Sequence, residues 1–153
     1  MDCQSLFKGL GNFYEVLKRC PRESEKGKIS RELLEEQTRL LKQYMDSGEY
    51  VNALGVAEKL LEMEETESYW VTVGYLFTQM KEYERSLIAY QNVLRLNPGN
   101  ERVWFNIGYS FLVLGDVRQA LRAFNKAVKL APDEDFRKKA EKGSELCLRM
   151  MKG

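Results

Sequence analysis

The chain has 153 residues and no histidine, and its 24 lysines and arginines against 23 aspartates and glutamates leave a net charge of +1. The length suits one domain of ordinary size with a real core. The absent histidine removes the commonest general base, the commonest metal ligand and any Ser-His or Cys-His nucleophile pair. The near-zero charge argues against a nucleic-acid binder that works by bulk electrostatics.

In chain order, residues 1–30 come first and stand apart from the rest of the chain. Leu6, Leu10, Phe13 or Tyr14, and Leu17 recur at helical spacing, although Gly9 and Gly11 weaken the helix. Cys20-Pro21 ends it, and Arg22 to Lys28 is a polar linker. Three aromatics, Phe7, Phe13 and Tyr14, are many for a tail. They favour a docked helix or a self-association element, with a homodimer through residues 5–19 as one form of the latter. The start, Met1-Asp2-Cys3-Gln4, lacks the apolar core of a secretory signal, and no run of 18 apolar residues exists. The expectation is a soluble, cytoplasmic chain with no membrane insertion. Cys3, Cys20 and Cys147 form no CxxC pair, so they read as reduced thiols, with no metal and no cofactor expected.

Residues 31–153 read as one repeat domain. Ser30 is placed to cap its first helix, with Ile29 and Leu34 set for a hydrophobic staple. The strongest signal lies further on. Trp70 and Trp104, Gly74 and Gly108, Phe77 and Phe111, Tyr90 and Phe124, and Pro98 and Pro132 are each 34 residues apart. Each of the units 67–100 and 101–134 parses as two helices. The first apolar set is Trp70, Val73, Phe77 and Met80, and the second is Leu87, Tyr90, Leu94 and Leu96 before Asn97-Pro98-Gly99 stops the chain. Gly74 and Gly108 each cost about 1 kcal/mol in a helix interior. Close helix packing explains that expense, with Ser86 and Ala120 expected to face them, and Tyr90 and Phe124 to fill the joint to the next unit. After Pro132, Glu134 to about Met150 reads as a further helix with Phe136, Ala140, Cys147 and Met150 near one face.

This pattern resembles the tetratricopeptide repeat, with its period of 34, its W-x-x-L-G-x-x-Y core, a small residue, an aromatic and a closing proline. Residues 34–66 fit as a degenerate first repeat through Gly48, Tyr50, Ala53 and Leu54. Aligned on that turn, Gln37 replaces the Trp, Leu41 the Gly and Ala57 the aromatic, and the repeat runs one residue short. The resemblance implies an all-α, right-handed α-solenoid of three helix-turn-helix repeats (about 34–66, 67–100 and 101–134), an N-terminal helical segment, and a capping helix over about 134–150.

The resemblance also implies a concave wall built by the first helix of each pair. Its ligand-facing positions fall on Thr38, Lys42, Met45 and Asp46, on Val71, Tyr75, Thr78 and Gln79, and on Arg102, Phe105, Asn106, Tyr109, Leu112 and Val113. Val71, Tyr75, Phe105 and Tyr109 would form a continuous apolar and aromatic strip. An exposed strip of that kind marks a binding groove, unless the terminal helix or residues 5–19 fill it in cis. The expected occupant is a protein or peptide segment with apolar or aromatic side chains. The clamp that some family members use for acidic C-terminal tails is disfavoured, because Thr38, Lys42, Thr72, Arg102 and Asn106 bring only two charges to its places. The layout is also similar to the type III secretion chaperones that hold translocator subunits, which implies a chaperone role as an alternative to a scaffold or assembly adaptor.

Charge is uneven along the body. Residues 31–66 hold 4 basic and 9 acidic residues, net −5, and residues 101–132 hold 5 basic and 2 acidic, net +3. Solvated faces or charge-steered association of copies both fit. No catalytic residues are expected: Glu62, Glu64, Glu65 and Glu67 fall at a turn, and Gly9-Leu10-Gly11 lacks the rest of a phosphate loop.

Overall fold

The structure, a computed structural model, describes residues 31–153. The helix expected over residues 5–19, the Ser30 cap, the staple, Cys3 and Cys20 lie outside the described residues. Seven helices and no strand occur among those described: α1 Arg31–Ser47, α2 Tyr50–Met63, α3 Glu67–Gln79, α4 Tyr83–Leu96, α5 Glu101–Val113, α6 Val117–Lys129 and α7 Glu134–Lys152. The chain forms two compact units, divided between Tyr69 and Trp70 in the first turn of α3.

One turn geometry recurs three times. Gly48, Lys81 and Gly115 hold φ of 74°, 60° and 84°. The amide of the next residue then donates to a carbonyl five residues back: Glu49 to Tyr44 at 2.9 Å, Glu82 to Phe77 at 2.8 Å, and Asp116 to Phe111 at 3.0 Å. This is the left-handed helix stop that glycine favours, and Lys81 is the one non-glycine among the described residues to adopt it. The turns fall 33 and 34 residues apart, which fixes the short first repeat and its register. The helices after these turns start with Glu49, Glu82 and Asp116 at the cap, and only the shorter aspartate reaches a backbone amide, that of Gln119 at 3.2 Å. Asn100 and Asp133 cap α5 and α7 in the same way, on Val103 at 2.9 Å and Phe136 at 2.8 Å.

In the first unit, α1 packs on α2. Leu41 and Ala57 are buried where the later repeats carry glycine and an aromatic ring, so the bulk has moved from the second helix to the first. Gln37, at the tryptophan position, has a buried Oε1 with no hydrogen-bond partner among the described residues.

In the second unit, Trp70, Val73, Leu76, Phe77, Leu87, Tyr90 and Val93 form the core of α3 and α4. Val93 holds the buried place; Leu94 is only half-buried and Leu96 is exposed, contrary to the sequence expectation. The expected partners of the glycines are also corrected. A Cβ on Gly74 would lie 2.3 Å from Cε1 of Tyr90, and one on Gly108 would lie 2.8 Å from Cδ1 of Phe124. The rings themselves face the glycines, while Ser86 reaches across to the next repeat and shares a 3.0 Å hydrogen bond with Ser110 of α5. Phe124 meets a second glycine on its other side: a Cβ on Gly143 of α7 would stand 2.7 Å from the same ring. The terminal helix therefore docks on α6 and α5 through Ala140, Ser144 and Cys147. Met150, expected on that face, is exposed. Asn125 of α6 accepts a 2.9 Å hydrogen bond from Ser144.

Candidate functional site

The repeat register decides which side of α3 and α5 stays open. Trp70, Val73 and Phe77 turn inward, and so do Val103 and Ile107. The ninth position of each repeat then points out, leaving Tyr75 41% and Tyr109 45% exposed. These are large apolar surfaces left to water at matching places in consecutive repeats.

Around them the structure assembles a phenol-rich surface. Tyr83, at the start of α4, sets its ring edge-on to Tyr109 at 6.2 Å between centroids. Desolvation, the Tyr109 phenol beside it and a hydrogen bond to it push the Tyr83 hydroxyl above its ordinary range. The Tyr90 ring is buried against Gly74, and its hydroxyl lies 3.2 Å from Oγ1 of Thr78. Thr78 donates to the Gly74 carbonyl at 2.9 Å, so it accepts from Tyr90. Burial pushes the Tyr90 phenol up, and its hydroxyl shares hydrogen bonds with Thr78 and Asn106. Thr78 and Asn106 thus meet on one buried hydroxyl, which ties α3, α4 and α5 together.

Two of the expected ligand-facing residues have other neighbours. Phe105 stands edge-on to Phe124 at 5.4 Å and to Phe136 at 6.1 Å, with the Lys139 ammonium 4.8 Å from its ring centre. Leu112 packs against the buried cluster of Ala120, Phe124 and Cys147. The uninterrupted strip of Val71, Tyr75, Phe105 and Tyr109 is corrected accordingly: α7 packs on Phe105, and the strip breaks there. Val71 is half-buried and Arg102 is exposed. Thr38 and Lys42 are exposed on α1, in the other compact unit, where the Thr38 hydroxyl donates to the Leu34 carbonyl at 2.8 Å. Tyr83 belongs to this surface although the ligand-facing positions of the repeat do not include it. The available signal was its match to Tyr50, two residues after the turn glycine or its equivalent.

No group of three or more histidines, cysteines or acids that could hold a metal occurs among the described residues. Cys147 is buried and burial pushes its thiol up, the opposite of what a reactive cysteine needs. No helix among the described residues is long and apolar enough to cross a membrane.

Stacked helix-turn-helix units with an open aromatic side define a helical repeat protein. The tetratricopeptide repeat pattern matches residues 67–100 and 101–134, so the chain carries two tetratricopeptide repeats. No curated protein matches it by sequence. Among solved structures, it is similar to the Yersinia enterocolitica type III secretion chaperone SycD in complex with a peptide of the translocator YopD. The TM-score is 0.75 at 18% identity, over 83% of this chain and 100% of that one. PcrH, a Pseudomonas aeruginosa protein, in complex with the chaperone binding region of PopD gives 0.74 at 20% identity, over 81% and 97%. The first such domain of Spaghetti, bound to an HSP90 peptide, gives 0.70 at 12% identity, over 78% and 94%. At these identities the likeness carries the fold.

Proposed function

We propose that this chain is a non-catalytic protein-binding module that holds a segment of another protein against the open side of its first helices. The observation that carries the reading is the exposure of Tyr75 and Tyr109 at one repeat position while the pattern aromatics around them are buried or half-buried. Tyrosine offers a rigid apolar face and a hydroxyl at small entropic cost, and it is enriched where binding energy concentrates. Tyr75, Tyr83, Tyr109, Val71, Thr78, Asn106 and Arg102 would meet the segment in residues 70–153. Thr38 and Lys42, on α1 of the other unit, are not counted in this surface, and the setting would be the cytoplasm. The segment would carry apolar or aromatic side chains to stack on the phenols.

A chaperone for an aggregation-prone client is the second reading. SycD is described with a peptide of the translocator YopD bound, and PcrH with the chaperone binding region of PopD. Dimerisation through residues 5–19 belongs to that reading, while docking of those residues on the same surface is a separate alternative.

The test is a pull-down with the intact protein and with Tyr75→Ala/Tyr109→Ala, read by mass spectrometry and followed by titration of the captured segment. Truncating two anchors should weaken binding by at least about 2 kcal/mol, roughly 30-fold. Stability should fall by no more than about 1.5 kcal/mol, the scale of the lost Tyr83–Tyr109 ring pair. Equal binding by both proteins would sink the proposal, and a collapse in stability would make the tyrosines structural. Deleting residues 1–29 separates the second reading: a dimer turned monomer favours it.

A further inference from the structure

Helix α7 buries Ala140, Ser144 and Cys147 against its neighbours. At about 100° of rotation per residue, Lys139, Lys142, Leu146, Arg149 and Met150 fall together in a stripe about 100° wide to one side of that face. All five are exposed, with Leu146 at 38% and Met150 at 50%. Glu141 turns to the other flank, Glu145 borders the stripe beside Lys142 and Arg149, and Glu134 and Asp135 are confined to the first turn. The stripe is apolar with a margin that is basic on balance. Helix α1 carries its complement. Leu33 is 46% exposed, Leu40 is half-buried two turns on, and Glu32 and Glu36 run beside them, with Arg39 at the edge. The residues around it, 31–66, carry 4 − 9 = −5, while 134–152 carry 6 − 4 = +2.

We propose that copies of this chain associate head to tail, the Lys142–Leu146–Met150 stripe of α7 in one copy docking on the Leu33–Leu40 edge of α1 in the next. Charge selects this pairing. Two α7 stripes face to face would oppose Lys142 and Arg149 with their own kind, and two α1 edges would oppose Glu32 and Glu36. Like charges across an interface disfavour it, and opposite charges fix its register. An interface that joins two different patches leaves one of each free in every pair unless a reciprocal contact closes the pair or a ring. Assembly should therefore grow with concentration. The apolar area is small, so the association is weak and depends on charge, and it weakens as salt shortens the screening length.

The experiment is sedimentation or light scattering on the full chain across a concentration series, at about 0.05 M and about 0.5 M salt. The average mass should rise with concentration at low salt and fall toward that of one chain at high salt. Leu146→Glu/Met150→Glu, a tail variant, and Leu33→Arg/Glu36→Arg, a head variant, should each stay monomeric. Mixed, they should form a one-to-one dimer and stop, because each keeps one intact patch. A mass independent of concentration overturns the proposal, and so does assembly unmoved by salt and by both variants. Mixed variants that stay monomeric overturn it too. Far-ultraviolet circular dichroism checks folding first. If either variant loses helix, Lys142→Gln/Arg149→Gln and Glu32→Gln/Glu36→Gln carry the same test, each expected to flatten the salt dependence.

Discussion

Two glycines inside helices show how local geometry reverses the sign of one substitution. Gly55 in α2 and Gly74 in α3 both forgo about 1 kcal/mol of helix propensity relative to alanine. A Cβ at Gly55 meets nothing within 4 Å, whereas one at Gly74 would lie 2.3 Å from the Tyr90 ring. That ring has little freedom to retreat, being 1% exposed and tied through its hydroxyl to Thr78 and Asn106. Overpacking of this kind costs about 1–3 kcal/mol and outweighs the propensity gain. In urea melts, Gly55→Ala should stabilise by about 0.5–1 kcal/mol, and Gly74→Ala should destabilise. Shifts of the same sign would refute the argument. Glu58 makes the corresponding point for charge. Burial, and then Glu62 one turn on, push its carboxyl above the ordinary 4.5. The folded state then binds the proton more tightly than the unfolded one. Glu58's contribution is most favourable below the ordinary carboxylate range and declines as pH rises through the raised value. Glu58→Gln should therefore melt higher than the parent at pH 7, by a margin that shrinks as the pH is lowered through that window.

Between elements, the joint from the second repeat to the third rests on the small buried pair Ser86 and Ser110 at 3.0 Å. Ser86 donates to the Tyr83 carbonyl at 2.8 Å, so Ser110 is the donor across the joint. Removing the Ser86 hydroxyl strands the Ser110 donor, at about 1–3 kcal/mol, whereas removing both can be nearly neutral. A Ser86→Ala, Ser110→Ala cycle in chemical denaturation should be strongly non-additive, the double variant no worse than Ser86→Ala alone. Additive losses would mean that the two hydroxyls act independently. The serine at position 86 was legible as a small residue, but its direction was not, because spacing along one helix cannot say which neighbour it meets. The helix pairs themselves were legible, since period, glycine and proline agree with one another. The first repeat was harder, because Leu41 and Ala57 exchange bulk across the pair and Gln37 takes the tryptophan place. The turn at Gly48 keeps the shared geometry where the side chains do not.

At the scale of the molecule, the open side was legible and its limits were not. The register put Tyr75 and Tyr109 outward, but Phe105 and Leu112 are half-buried, and part of what packs on them comes from a helix outside the 34-residue period. Gly143 stands 35 residues after Gly108, one step out of phase, so the repeat pattern does not flag it. Its place in the structure makes Phe124 the pin of the third repeat and of α7 together. A Cβ would approach the ring to 2.8 Å from Gly108 and 2.7 Å from Gly143, so relief on one side is blocked on the other. Gly143→Ala should therefore lift α7 from α6, not shift the ring, at about 1–3 kcal/mol. Cys147, fully buried one turn further along α7, reports on that docking. In a Cys3→Ser/Cys20→Ser background, a thiol reagent should label the parent slowly and the Gly143→Ala variant much faster. Phe124→Ala removes the ring that both glycines face. It should cost stability alone yet leave Gly143→Ala with little further effect, and a full additional loss in the double variant would show that α7 docks independently of Phe124.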